Sequence, residues 1–159
     1  MNKLSGKQLF SYKIIAVLAV LFLVGFLRYC GGAKLFCAQS GSIFDVAKIT
    51  FWAMIIYGLF EFLIPGFSEQ DNIFFAKLAA IVAAPILVVI LMAVFPAGFT
   101  LAILAVAISV IIAQILEVFL SRREPNCAMI LATTLLFLIF LVCFIIFSYH
   151  PLGGFLFKR

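Results

Sequence analysis

Between Leu78 and Leu116 the chain carries no charged residue, and this run dictates the class of fold. An α-helix rises about 1.5 Å per residue and bilayer hydrocarbon is about 30 Å thick, so about 20 apolar residues make one crossing. The run is too long for one crossing and suits two. Pro96-Ala97-Gly98 lies inside it, a turn-forming triplet that disfavours a continuous helix. Two spans are therefore expected, over 74–95 and 99–120.

The same ruler divides the rest of the chain, because charges are costly in hydrocarbon. Ile14 to Leu27, between Lys13 and Arg28, is short for a span. Leu9, Phe10 and Tyr12 can lengthen it while the flanking charges snorkel, giving 9–28. Phe44 to Ile64 forms a second span (44–64), with Asp45 and Lys48 at its start, Glu61 near its end and Pro65-Gly66 as its stop. After Arg122-Arg123-Glu124, Pro125 and Asn126 open a last span over 128–148. The 67% hydrophobic and 11% charged residues contrast with about 45–50% and 25% in soluble domains. That balance excludes a soluble catalytic domain, a disordered chain and a disulfide-framed miniprotein. The expectation is an all-α integral membrane bundle of five helices, one transmembrane domain over 1–159, with the lipid bilayer as partner.

Lys3, Lys7 and Lys13 ahead of the first span resemble the basic flank of a signal peptide, but no small-x-small cleavage site follows. Leu27-Arg28-Tyr29-Cys30 likewise puts large residues where a lipoprotein signal needs small ones, so the first span is expected to be retained. An odd span count places the termini on opposite sides. With the N-terminus inside, the inner basic residues are Lys3, Lys7, Lys13, Lys77, Arg122 and Arg123, and the outer ones Arg28, Lys34, Lys48, Lys158 and Arg159. The leading flank favours the N-terminus in the cytoplasm and the C-terminus outside a cell membrane. The net charge of +5 is spread over both sides and gives no nucleic-acid footprint.

Small residues recur every four positions at Ala76, Ala80 and Ala84, at Ala79 and Ala83, and at Ala105, Ser109 and Ala113. Such faces allow close backbone approach in lipid. Packing of spans three and four as a hairpin is expected, and docking of a membrane-protein partner or second copy on Ala76, Ala80 and Ala84 is the alternative. Pro85 frees the Ile81 carbonyl, for a kink or for part of a solute site. Ser42-Ile43-Phe44-Asp45 has the S-x-x-D/E form of a capping box. Its functional counterpart is an outer-surface pocket of Ser42, Asp45 and Lys48, joined by His150 from the end of span five.

Asp45 to Glu61 covers roughly 24 Å of helix, which puts Glu61 at the opposite boundary. Tyr57 is one turn away, and Gln114 and Glu117 share one face of span four at the same level. Lys77, Arg122 and Arg123 are available as counter-charges. An intramembrane carboxylate is by default a functional candidate; here the alternative is a set of paired interfacial charges. Cys30 and Cys37 share a loop and form a disulfide if that loop is extracytoplasmic, whereas Cys127 and Cys143 lie apart along span five. No cysteine spacing or histidine cluster suits a metal, and no nucleotide-binding or hydrolase motif is present. No cofactor is expected.

The loop entering span two resembles that of an uncharacterised family of small five-span bacterial membrane proteins, catalogued as a domain of unknown function, which carries N-E-S-x-W-E-H-x-K before a helix. Here the stretch runs from Ser40 to Lys48. Ser42 and Lys48 match, Phe44 and Asp45 are similar, and Ser40, Gly41 and Val46 replace Asn, Glu and His. Glu61-Phe62, Gln114 and the aromatic-x-Pro close from Tyr149 to Phe157 extend the likeness. The resemblance implies the five-span order and no activity. The expected role is non-enzymatic binding of a small solute or partner. The alternatives are a membrane enzyme acting at the outer surface on a lipid-linked or small substrate, and an accessory or structural subunit.

Overall fold

The computed structural model describes residues 6–29, 34–37, 42–64, 72–95, 99–124 and 126–150. Cys30, Ser40, Gly41, Pro65-Gly66, Pro96-Ala97-Gly98 and the close from Pro151 to Phe157 lie outside the described residues. The chain forms five α-helices: α1 (Gly6–Tyr29), α2 (Ile43–Phe62), α3 (Ile73–Val94), α4 (Phe99–Leu120) and α5 (Cys127–Tyr149). Each is long and apolar enough to cross a bilayer, and the protein is a multi-pass membrane protein. Helix α1 starts three residues ahead of Leu9, so Lys13 lies well inside it.

Helix starts follow local chemistry. Ser42 caps α2, its Oγ accepting from the Asp45 amide at 3.2 Å, and Asn126 caps α5, its Oδ1 accepting from the Met129 amide at 2.8 Å. Each satisfies one of the donors that an α-helix leaves unpaired in its first turn. Pro85 sits inside α3, which continues through it from Ile73 to Val94.

Helices α1 to α4 form an up-down bundle in which each packs on the next and α1 closes the ring against α4. The most extensive contact joins α3 and α4. Ala76, Ala80, Ala84, Ser109 and Ala113 are completely buried and Ala105 is buried, as small-residue faces at close helix crossings should be. The Ala76, Ala80 and Ala84 face is thus covered within the chain, and a partner cannot reach it without opening the bundle.

Helix α5 stands outside the ring. It lies on α3 and reaches α2 through aromatic rings: Phe144 packs 4.9 Å from Phe51 and 5.5 Å from Phe44, and Phe137 packs 5.8 Å from Phe51 (centroid distances). Phe144 is its one buried residue. Phe137, Phe140, Leu141 and Phe147 are partly buried against the core, and most of its remaining apolar surface faces outward, which in a bilayer means lipid and carries no penalty.

Candidate functional site

Two clusters of buried charge lie at opposite ends of the bundle. At the end where α1 and α3 begin and α2 and α4 finish, Lys13, Glu61, Lys77 and Glu117 meet, one from each helix of the ring. The Lys13 ammonium lies 2.9 Å from Glu61 Oε1 and 2.6 Å from Glu117 Oε1. The Lys77 ammonium lies 2.7 Å from Glu117 Oε1 and also pairs with Glu61 Oε2. None of the four side chains exceeds 6% exposure. Two positive and two negative charges close a neutral ring, which allows ions to remain away from water where a lone charge would be very costly.

The surroundings follow from that ring. Gly58, on the same helix as Glu61, leaves room for the Lys77 stem: a Cβ there would sit 3.1 Å from Lys77 Cδ. Tyr57 presents its ring to the ammonium of Lys77, 5.9 Å from the centroid, rather than its hydroxyl to Glu61. Ile73 packs with Phe62, Ile64 and Val118 as a separate apolar patch at this end, and Asn72 Nδ2 donates to the Arg123 carbonyl at 2.7 Å. These contacts tie the start of α3 to the end of α4.

Gln114 lies one turn from Glu117 on α4. Its Nε2 is 3.9 Å from Met54 Sδ, and its Oε1 is buried without a hydrogen-bond partner, as are Ser109 Oγ and Glu117 Oε2. Such atoms cost stability unless something else uses them. Beside this row a groove of about 510 Å³ runs between α1 and α4. Phe10, Ile14, Val17 and Leu18 supply one wall, Ile111, Ile115, Val118 and Phe119 the other, and Lys13, Gln114 and Arg122 are its polar members. A smaller apolar pocket of about 200 Å³ lies between α3 and α4 at the other end, bordered by Met92, Ala102 and Ala105.

At that other end Asp45 and Lys48 pair at 3.0 Å. The Lys48 ammonium also donates to the Lys34 carbonyl at 2.9 Å and lies 5.8 Å from the Phe44 ring centroid. Lys48 and Asp45 are both buried. Asp45 is therefore more than a capping residue: its carboxylate neutralises a buried ammonium. His150 ends α5, is exposed, and forms no hydrogen bond or ion pair with Asp45 or Lys48 among the described residues. Cys37 is a buried free thiol and Cys127 an exposed one; Cys30, the expected partner of Cys37, lies outside the described residues. Among the described residues no group of three His, Cys, Asp or Glu side chains could hold a metal ion.

Of the residues singled out from the sequence, the structure brings Glu61, Glu117 and Lys77 together, sets Tyr57 and Gln114 beside them, and leaves Arg122 and Arg123 exposed. Arg123 stacks on Phe119, 4.4 Å from the ring centroid. Sequence reasoning missed Lys13 as a member of the site, treating it as a snorkelling flank. The signal was present: if Leu9, Phe10 and Tyr12 are needed to lengthen the first span, Lys13 must lie inside the helix. No family model, curated protein or solved structure matches the chain.

Proposed function

We propose that this protein is a non-enzymatic membrane protein that binds a small, largely apolar molecule entering from the bilayer, in the groove between α1 and α4. The observation that supports this reading is the groove itself. Its volume of about 510 Å³ falls in the roughly 300–1,000 Å³ range of ligand sites, and its apolar walls with few polar members match their usual make-up. Lys13 lines it while holding Glu61 and Glu117, so an occupant touches the residue that fastens α1 to the ring.

The outer-surface enzyme alternative draws less support. Lys48 is 1% exposed and its ammonium is engaged by Asp45 and the Lys34 carbonyl. Acid–base or nucleophilic work there would first require that pair to open. The leading lysines support an N-terminus in the cytoplasm and a C-terminus outside, in a cell membrane.

The reading is tested with a neutral photoactivatable probe, a diazirine-bearing octanol, on the protein in nanodiscs of neutral lipid. Labelling should concentrate on Ile14, Val17, Leu18, Ile111 and Ile115 and fall in Leu18→Trp, which fills the groove. Labelling no denser there than on the outward faces of α5 overturns the reading.

A further inference from the structure

The groove has a length and a polarity as well as a volume. From Ile111 to the end of α4 at Leu120 it follows nine residue steps, about 14 Å at 1.5 Å per residue, and Arg122 stands in the turn just beyond. That is close to half the roughly 30 Å thickness of bilayer hydrocarbon. It therefore runs from the boundary to the middle of the membrane, the depth of one leaflet.

Its charge is confined to the boundary end. Lys13 is neutralised by Glu61 and Glu117 within the ring of four. Arg122 is exposed and forms no ion pair among the described residues, so its charge is the one the groove offers to an occupant. Phe119 lines the same end, with Arg123 stacked on its ring. Beyond them the walls are Ile14, Val17, Leu18, Ile111 and Ile115. A basic mouth at the interface followed by one leaflet of apolar wall is complementary to a molecule with an anionic head and a long hydrocarbon tail.

We propose that the groove holds an anionic phospholipid of the leaflet that borders Arg122, its phosphate beside the guanidinium and one acyl chain between α1 and α4. This rests on the groove being a ligand site, and it makes the apolar occupant of the groove the acyl chain of a lipid whose charged head stays at the mouth. Arginine suits the head because its planar fork matches phosphate oxygens, and basic sites beside transmembrane helices attract anionic headgroups in this way. The outward face of α5 is equally apolar, yet it carries no basic residue from Cys127 to Tyr149. It fits ordinary, unselective lipid contact.

The test is native mass spectrometry of the full chain released from nanodiscs containing equal phosphatidylglycerol and phosphatidylcholine. Retained phosphatidylglycerol should exceed phosphatidylcholine about fivefold, the contribution of one basic side chain near an anionic surface. Arg122→Gln should bring the ratio near one, and Leu18→Trp should remove the retained lipid of both kinds. Arg123→Gln, which changes a neighbouring charge that does not line the groove, should leave the preference in place.

Equal retention of the two lipids by the wild type overturns the anionic assignment. The octanol photolabelling then decides separately whether the groove is a ligand site. A dimer that Leu18→Trp dissociates would give the groove to a second copy and overturn the proposal as well. Persistent phosphatidylglycerol retention in Leu18→Trp would place the lipid elsewhere on the protein.

Discussion

Replacing Glu61 by leucine tests whether the four-membered charge ring organises the bundle. Glu61 touches both lysines, Lys13 at 2.9 Å through Oε1 and Lys77 through Oε2. Glu117 also touches both, at 2.6 and 2.7 Å. Without Glu61, two ammonium groups share one carboxylate, leaving one uncompensated positive charge where no side chain of the ring exceeds 6% exposure. Each close pair at an effective dielectric of about 20 has a gross attraction of roughly 6 kcal/mol, largely offset by desolvation. Removing one partner of a buried pair therefore costs about 3–5 kcal/mol, dominated by the stranded charge. Glu61→Gln keeps an acceptor for one lysine and should cost less, about 1.5–3 kcal/mol.

The double variant Glu61→Leu/Lys77→Met separates charge from packing. It removes one charge of each sign, leaves Lys13 paired with Glu117, and should recover at least half of the loss. Reversible unfolding in mixed micelles, titrated with a denaturing detergent, reads all three variants. If Glu61→Leu lies within about 0.5 kcal/mol of wild type, or the double variant is no better than the single, the ring does not hold the helices as argued.

Other expectations follow from the same contacts. Gly58→Ala places a Cβ 3.1 Å from Lys77 Cδ and should cost about 1–3 kcal/mol by overpacking, a loss that disappears in a Lys77→Ala background on the same titration. Asp45→Asn leaves the buried Lys48 ammonium without its carboxylate and should cost about 3 kcal/mol or more; a loss below about 1 kcal/mol in thermal unfolding would reduce Asp45 to a capping role. Gln114→Met removes the unpartnered Oε1 while keeping the length of the side chain, so stability should be unchanged or higher by about 1 kcal/mol; a marked loss would show that the amide has a structural partner. With the N-terminus inside, the exposed Cys127 at the start of α5 faces the cytoplasm. A membrane-impermeant maleimide should label it in broken but not intact cells, and labelling in intact cells would reverse the orientation.

The helix order was legible in the sequence because it depends on a local quantity. Charge and turn residues interrupt an apolar chain wherever it must leave hydrocarbon, and Arg28, the Pro96-Ala97-Gly98 triplet and Arg122-Arg123 mark those places without reference to any other helix. The Ser42 cap and the small-residue stripes of α3 and α4 were legible for the same reason, each being a pattern within one helix. The partners of each charge were not. Glu61 had Tyr57, Gln114, Lys77 and Arg122 as candidates at one level of the membrane, and choosing among them requires the rotation of every helix about its own axis. Only the packed ring decides that: it turns Lys13 and Lys77 inward onto Glu61 and Glu117, leaves Arg122 at the mouth of a groove, and moves α5 outside. The physical reason is that a buried charge is tolerated only opposite its complement, so helix rotation is settled by all four helices together and by none of them alone.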